Sequence, residues 1–241
     1  MNNYFITKVP YAKSNVKQST LKFLRLINKG LRKLGLRYMI TPVDTTVDMN
    51  TIEQRINYYH LLNQVILSEV EGDVIELGCF TGQCALLFQK VIEQNHSDKT
   101  LHLYDSFEIQ FSEKGNVQEV LLDSFKSANL KLPILHPGFF NETIPAQLPE
   151  KIAFIHIDCG HGGNVDDHKK VLLEVLDNIY HRMASGALCV LMDYNDPEVN
   201  GIGHIANPGV KLACDEFLND KEEEVIPLYG NQYFHAYFRK K

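Results

Sequence analysis

The sequence predicts an α/β fold: a mostly parallel seven-stranded sheet covered by helices on both faces, with a C-terminal antiparallel hairpin and an N-terminal helical extension. Three observations predict it. Val74, Ile75 and Leu77 form a short apolar run, Gly78 and Gly82 bracket a tight turn, and Leu86, Leu87, Lys90 and Val91 then recur at helical spacing. Apolar runs alternate with helical patterns over the rest of the chain, as a parallel sheet with crossover helices requires. The last two apolar runs are joined by residues 228–231 with no helix between them, the pattern of a hairpin.

Taken in order, residues 1–19 read as a polar leader. Residues 20–36 interleave Lys22, Arg25, Lys29, Arg32 and Lys33 with Leu21, Leu24, Ile27, Leu31 and Leu34, a basic amphipathic helix that Gly30 weakens. Such a helix can lie on an anionic membrane, or pack on its own body or a second subunit. Because its stripe lacks Trp and has Phe23 as its one large aromatic, packing is favoured, and with it a homo-oligomer. Residues 41–48 form a connector, so the chain divides into an extension over 1–47 and one domain over 48–241. Asn50 and Glu53 form a capping box for a helix to about residue 67. Strands are expected at 74–77, 101–104, 131–136, 152–157, 187–192, 224–227 and 232–238. The helix after Gly82 runs to 92, and others cover 117–128, 165–182 and 210–218. Residues 137–145 are expected as a loop and 184–186 as a turn.

Composition narrows the function. The net charge of −6 argues against a general nucleic-acid binder, which needs clustered positive charge. Hydrophobic residues make up 44%, enough for a large core without staples. Five cysteines, odd in number and without zinc-finger spacing, suit free thiols in a reducing compartment. The polar start and the lack of a membrane-length apolar run point to the cytoplasm.

In open α/β sheets, ligands sit beyond the carboxyl ends of the strands. Those ends carry Glu76, Asp105, Gly138, Asp158 and Asp193. A glycine turn opening a helix offers backbone N–H groups and a positive helix end. Glu76, two residues before the first glycine, would repel a pyrophosphate, and G-x-G-x-x-G is absent. Both features favour S-adenosylmethionine, with its positive charges, over a dinucleotide. Asp105, at the end of the second strand, is placed to meet ribose hydroxyls. Asp158 and Asp193 end strands expected to be neighbours, and their carboxylates could share a magnesium ion, cap helices or bond backbone. His161 follows Asp158 closely and could accept a hydroxyl proton.

Seven landmarks in order complete the pattern: residues 72–78 (GDVIELG), 104–108 (YDSFE), 138–145 (GFFNETIP), 155–158 (IHID), 184–186 (ASG), Asp193-Tyr194 and 209–217 (GVKLACDEF). With them the chain, from about Met49 onward, resembles the macrocin-type O-methyltransferases, class I S-adenosylmethionine enzymes of Rossmann-like fold that methylate hydroxyls, often on sugars. The resemblance implies Glu76, Gly78, Cys79 and Gly82 around the methionine end of the cofactor. It implies Asp105 on the ribose, Ser106 beside the adenosine, and Gly138 and Phe139 lining the adenine. Asp158 would sit between cofactor and metal, and Asp193 would bind the metal. Two positions depart from the family: Gly160 stands where a second acid is usual, and Met192 where paired acids are usual. One metal ligand and one base are therefore missing, with Asp196 or His161 as substitutes. The expected reaction is methyl transfer to a hydroxyl of a sugar, glycan or glycosylated metabolite, with His161 as the first choice of base and Asp158 beside it in the catalytic site. A catalytically inactive binding module and a nicotinamide-dependent oxidoreductase are the alternatives.

Overall fold

The protein is described by a computed structural model over residues 17–40, 50–109, 115–160, 164–196, 207–229 and 234–241. Its central strand, β1 (Asp73–Leu77), is parallel to β2 (Leu101–Asp105) on one side and to β4 (Ile152–Ile157) on the other. Beyond β2 lies β3 (Ile134–Pro137), and beyond β4 lies β5 (Met183–Met192), both parallel. Two further strands, β6 (Ile226–Leu228) and β7 (His235–Arg239), close the sheet. The order is β3-β2-β1-β4-β5-β7-β6, with β7 antiparallel to both its neighbours. The seven-stranded, mostly parallel sheet with its antiparallel end is the one the sequence predicts.

The inner strands are apolar on both faces because helices cover both. All six residues of β4 are buried, and β1 is buried from Val74 to Leu77. Helix α1 (Gln18–Lys33) precedes the sheet, and α2 (Ile52–Leu67) packs on α3 (Gln83–Gln94), the helix that follows β1. α4 (Val117–Ala128) and the single turn α5 (Phe140–Thr143) flank β3. α6 (Val165–Tyr180) leads into β5 and packs against α7 (Gly209–Leu218). Strand order reverses between β1 and β4, which opens a crevice at their carboxyl ends.

Several boundaries differ from expectation, among them β6 at Ile226–Leu228 rather than 224–227 and β7 ending at Arg239 rather than 238. The capping box of α2 is one residue later than predicted. Gln54 N–H donates to Thr51 Oγ1 and Thr51 N–H to Gln54 Oε1, while Asn50 reaches across to Gln83 and Cys84 of α3. The loop over 137–145 contains α5. β3 starts only at Ile134, since the Lys131 N–H is taken by the Glu93 carboxylate. The expected turn at 184–186 is part of β5, where a register irregularity absorbs Gly186 at φ +84°. None of the residues of α1 is buried, so it does not sit on its own body as a core helix would.

Candidate active site

A cavity of about 1200 Å³ lies over the carboxyl ends of β1, β2, β4 and β5. Its cofactor-side wall begins with Gly78, whose N–H donates to Tyr104 O (2.8 Å) at φ +81°. A Cβ here would lie 2.0 Å from Asp158 O, so only glycine lets the ends of β1 and β4 close together. The turn it starts is held by Asp105. The Cys79 and Phe80 N–H groups both donate to Asp105 Oδ2 (2.9 Å each), and Phe107 N–H donates to Oδ1 (2.8 Å). Gly82 then caps α3 at φ +84°, where a side chain would press on Leu121. Gly138 N–H donates to Asp105 O (3.0 Å), which brings Phe139, half exposed, to the cavity edge. Ser106 lines the same wall and accepts from Glu108 N–H (3.3 Å).

Glu76 lines the cavity floor but does not stand as the free carboxylate the sequence suggests. It is 2% exposed and its Oε1 lies 2.9 Å from His156 Nδ1, one strand over on β4. Burial, reinforced by the charge of Asp105, pushes the Glu76 carboxyl well up. Burial also lowers His156 to about 4, against the pull of Asp158 and Asp193. Both directions describe a neutral pair, in which the Glu76 hydroxyl donates to His156 Nδ1. Glu76 Oε2 has no partner. His156 packs under Tyr58, with ring centroids 4.7 Å apart. The sequence placed His156 inside the IHID landmark without giving it a role: it lies inside an apolar strand, and its significance comes from pairing across to β1.

The other wall is built from β4, β5 and α6. Asp158 donates its N–H to Leu77 O (2.8 Å), so its side chain enters the cavity beside the glycine turn. Burial raises its carboxyl to about 7. His156 works against that rise, while Asp193, Glu76 and Asp105 add to it. Asp193, at φ +62°, accepts from Asn207 Nδ2 (2.5 Å). Asn207 can reach that far because Gly160 is beneath it: a Cβ on Gly160 would lie 3.2 Å from the same nitrogen. From α6, Asp167, Lys170, Glu174 and Asn178 add a polar face to the cavity that the sequence analysis did not single out. Its signal was available in the polar positions that recur along that helix at three- and four-residue spacing.

Glu76, Gly78, Cys79, Asp105, Ser106, Gly138, Phe139, Asp158 and Asp193 thus line one cavity, and Gly82 closes the turn behind it. His161 lies outside the described residues. Asp196, the other substitute acid, is engaged by Lys211 (3.5 Å).

The residues present do not fit the expected magnesium site. Met192 is buried, and its sulfur faces inward, accepting from Gln54 Nε2 (3.0 Å) and Tyr58 OH (3.2 Å). Gly160 has no donor, and one Asp193 oxygen is occupied by an amide N–H. Among the described residues, the one group of three or more His, Cys, Asp and Glu side chains within metal-ligand reach of one another is Glu76, Cys84 and His156. It contains neither Asp158 nor Asp193, and two of its members already bond to one another. A magnesium shell needs oxygen donors converging on one point.

Comparison with solved structures places the fold among methyltransferases. The O-methyltransferase NovP aligns with a TM-score of 0.62 at 20% identity, over 79% of this chain and 80% of its own. CalS11, a TDP-rhamnose 3'-O-methyltransferase of calicheamicin biosynthesis, aligns at 0.59 with 17% identity over 94% and 96%. The Podospora anserina methyltransferase PaMTH1, bound to S-adenosylhomocysteine, aligns at 0.56 with 15% identity over 90% and 87%. No curated protein matches the chain by sequence. The family described as macrocin-O-methyltransferase (TylF) matches residues 44–221, most of the chain, which sets aside the nicotinamide reading. The chain belongs to the macrocin-O-methyltransferase family of S-adenosylmethionine-dependent methyltransferases.

Proposed function

We propose that this O-methyltransferase acts on a hydroxyl of a sugar, glycan or glycosylated metabolite, with Asp158 as the base. The observation that carries the reading is Asp158 itself. It stands between the glycine turn and the polar face of α6, and its carboxyl is raised to about 7, where a group can accept a proton under neutral conditions. The polar residues of α6 suit an acceptor with several hydroxyls, and two structurally similar proteins are O-methyltransferases, CalS11 acting on TDP-rhamnose.

In this reading Glu76, Gly78, Cys79 and Gly82 surround the methionine end of S-adenosylmethionine. Asp105 and Ser106 meet the ribose and adenosine, and Gly138 and Phe139 flank the adenine. Arrival of a cationic ligand favours the charged form of Glu76, whose unpartnered Oε2 is the oxygen available to it. The acceptor oxygen then attacks the methyl carbon in line as the carbon–sulfur bond breaks. S-adenosylhomocysteine leaves and the hydroxyl proton passes to Asp158. The protein contributes proximity and a base, and no metal ion takes part in these steps.

The catalytic unit is residues 48–241, with 1–47 as an appendage. Among the described residues no helix is long and apolar enough to cross a membrane, and all five cysteines are free thiols, which suits the cytoplasm. Two measurements test the proposal: calorimetric titration with S-adenosylmethionine, and methyl transfer to a panel of nucleotide sugars and glycans. Binding without transfer to any hydroxylated acceptor would make the chain an inactive binding module. Transfer to a non-glycosylated acceptor alone would refute the sugar assignment.

A further inference from the structure

We propose that α1 and the segment behind it form a docking surface for an anionic lipid bilayer. At 100° per residue, Phe23, Leu24, Ile27, Leu31 and Leu34 fall within one arc of roughly 100°, and Lys22, Arg25, Lys29, Arg32 and Lys33 fall on the opposite arc, with Leu21 and Leu26 at its two edges. The helix ends at Lys33, and Gly35 (φ +73°) just beyond it turns the chain back. Asn28 pins the return: its Nδ2 donates to Ile40 O and its Oδ1 accepts from Ile40 N–H, both at 2.8 Å. Tyr38, Met39 and Ile40 are thereby held beside the helix, and all three are exposed.

Charge and apolar exposure together choose the occupant. Residues 17–40 carry seven basic side chains and no acid; with −6 for the whole chain, the remaining residues sum to −13. A second copy could offer its own α1 as an apolar seat, but that pairing would bring together two segments that each carry seven basic side chains and no acid, while its acidic remainder lacks a comparable apolar cluster. Over the other described residues the exposed large apolar side chains fall on separate elements, such as Ile56 and Leu67 on α2, Leu132 and Ile134 at β3, Val165 on α6 and Leu212 on α7, or line the cavity, as Ile109 and Phe139 do. In 17–40 they crowd together, with Phe23 62%, Leu34 76% and Met39 70% exposed. An anionic bilayer supplies both partners, phosphate charge for the basic face and acyl chains for the apolar one. Sixteen residues of helix span about 24 Å, shorter than a bilayer core, so α1 lies in the interface plane.

Vesicle co-sedimentation of the full chain tests this, with phosphatidylcholine alone and with added phosphatidylglycerol. The chain should pellet with the anionic vesicles, and salt should weaken the association. Lys22→Glu with Lys29→Glu should lower partitioning at least about ten-fold, and Phe23→Asp with Leu34→Asp should abolish it. All four positions are exposed, and an unchanged melting temperature verifies the fold of each variant. The proposal is overturned if the chain stays in the supernatant with anionic vesicles, or if both variants pellet like the parent. It is equally overturned if the chain is a dimer that Phe23→Asp with Leu34→Asp dissociates without any vesicle binding by the parent.

Discussion

The two walls of the cavity are held in different ways. On the β1–β2 side the backbone does the work: three N–H groups close on the Asp105 carboxylate, and Gly78 and Gly82 adopt positive φ. On the β4–β5 side the shape comes from side chains far apart in sequence. Asn207 reaches Asp193 over Gly160, and Met192 turns its sulfur to Gln54 and Tyr58 of α2. The first wall is a rigid cradle that suits a common cofactor. The second is a set of adjustable contacts, where acceptor choice and proton transfer can vary without disturbing the cradle.

The sharpest break in the cradle is Gly78→Ala. The new methyl group would have to sit 2.0 Å from Asp158 O and 2.8 Å from its carbonyl carbon, on a backbone at φ +81°. Neither partner is a flexible side-chain end, so β1 and β4 must separate at the site. A loss of about 4 kcal/mol or more is expected in chemical denaturation, with S-adenosylmethionine binding undetectable by calorimetry. An alanine variant that melts and binds like the parent would show that the two strand ends are not in this register.

On the other wall, Asp158→Asn should spare the cradle and remove the base. Turnover should fall by about 10²–10⁴-fold with cofactor affinity little changed. The parent's kcat should rise with pH through about 7, as the carboxylate form accumulates, and the asparagine variant should lose that rise. The sign on stability is the opposite. The folded carboxyl, held above its ordinary value of 3.8, keeps a proton that the unfolded chain releases, so this group lowers stability as pH climbs from about 4 to 7. The variant should flatten that slope as well. Turnover of the parent should be unchanged by a chelator, since Met192 and Gly160 leave the acids without the donors a cation needs. A chelator-sensitive rate would place a cation at the second wall after all.

Asp105→Ala acts on the cradle more gently than the glycine change. Three N–H groups lose their acceptor and the turn loosens, while the strand register survives. Affinity for S-adenosylmethionine should drop by about ten- to 150-fold, or 1.5–3 kcal/mol. Isothermal titration decides it, and affinity equal to the parent's would detach Asp105 from the site.

The same contrast explains what could be read from the chain alone. Gly78, Gly82, Asp105 and Gly138 were legible because local backbone geometry dictates their types, and their spacing along strand, turn and helix carries that geometry. The seven strands were legible from burial on both faces, though β3 and β5 shifted where a side chain took a ladder N–H or an irregularity absorbed a turn. His156 and Asn207 were not legible. Each acts through a partner on another strand or loop, 80 residues away for His156 and 14 for Asn207, and no local pattern encodes such a pairing. Met192 was read as a missing acid. Its place in the structure is that of an acceptor for two buried donors.

That role sets the smallest effect expected. In Met192→Leu the side-chain volume is nearly conserved, so repacking alone should cost little. The sulfur, however, accepts from Gln54 Nε2 at 3.0 Å and from the hydroxyl of Tyr58, a fully buried side chain. Thioether sulfur is a weak acceptor, but leucine offers none, so both donors are left unsatisfied in a site closed to water. The capping bond from Thr51 N–H engages Gln54 Oε1 and leaves Nε2 without an acceptor, so the buried Gln54 amide and the Tyr58 hydroxyl share the cost. Stability should fall by about 1–2 kcal/mol, read from denaturant midpoints at unchanged slope. S-adenosylmethionine affinity should stay within two-fold of the parent, an approximate bound set by the absence of any lost cofactor contact. A large affinity loss instead would mean that α2 transmits the state of the second wall to the cradle through Tyr58 and the His156–Glu76 pair beneath it.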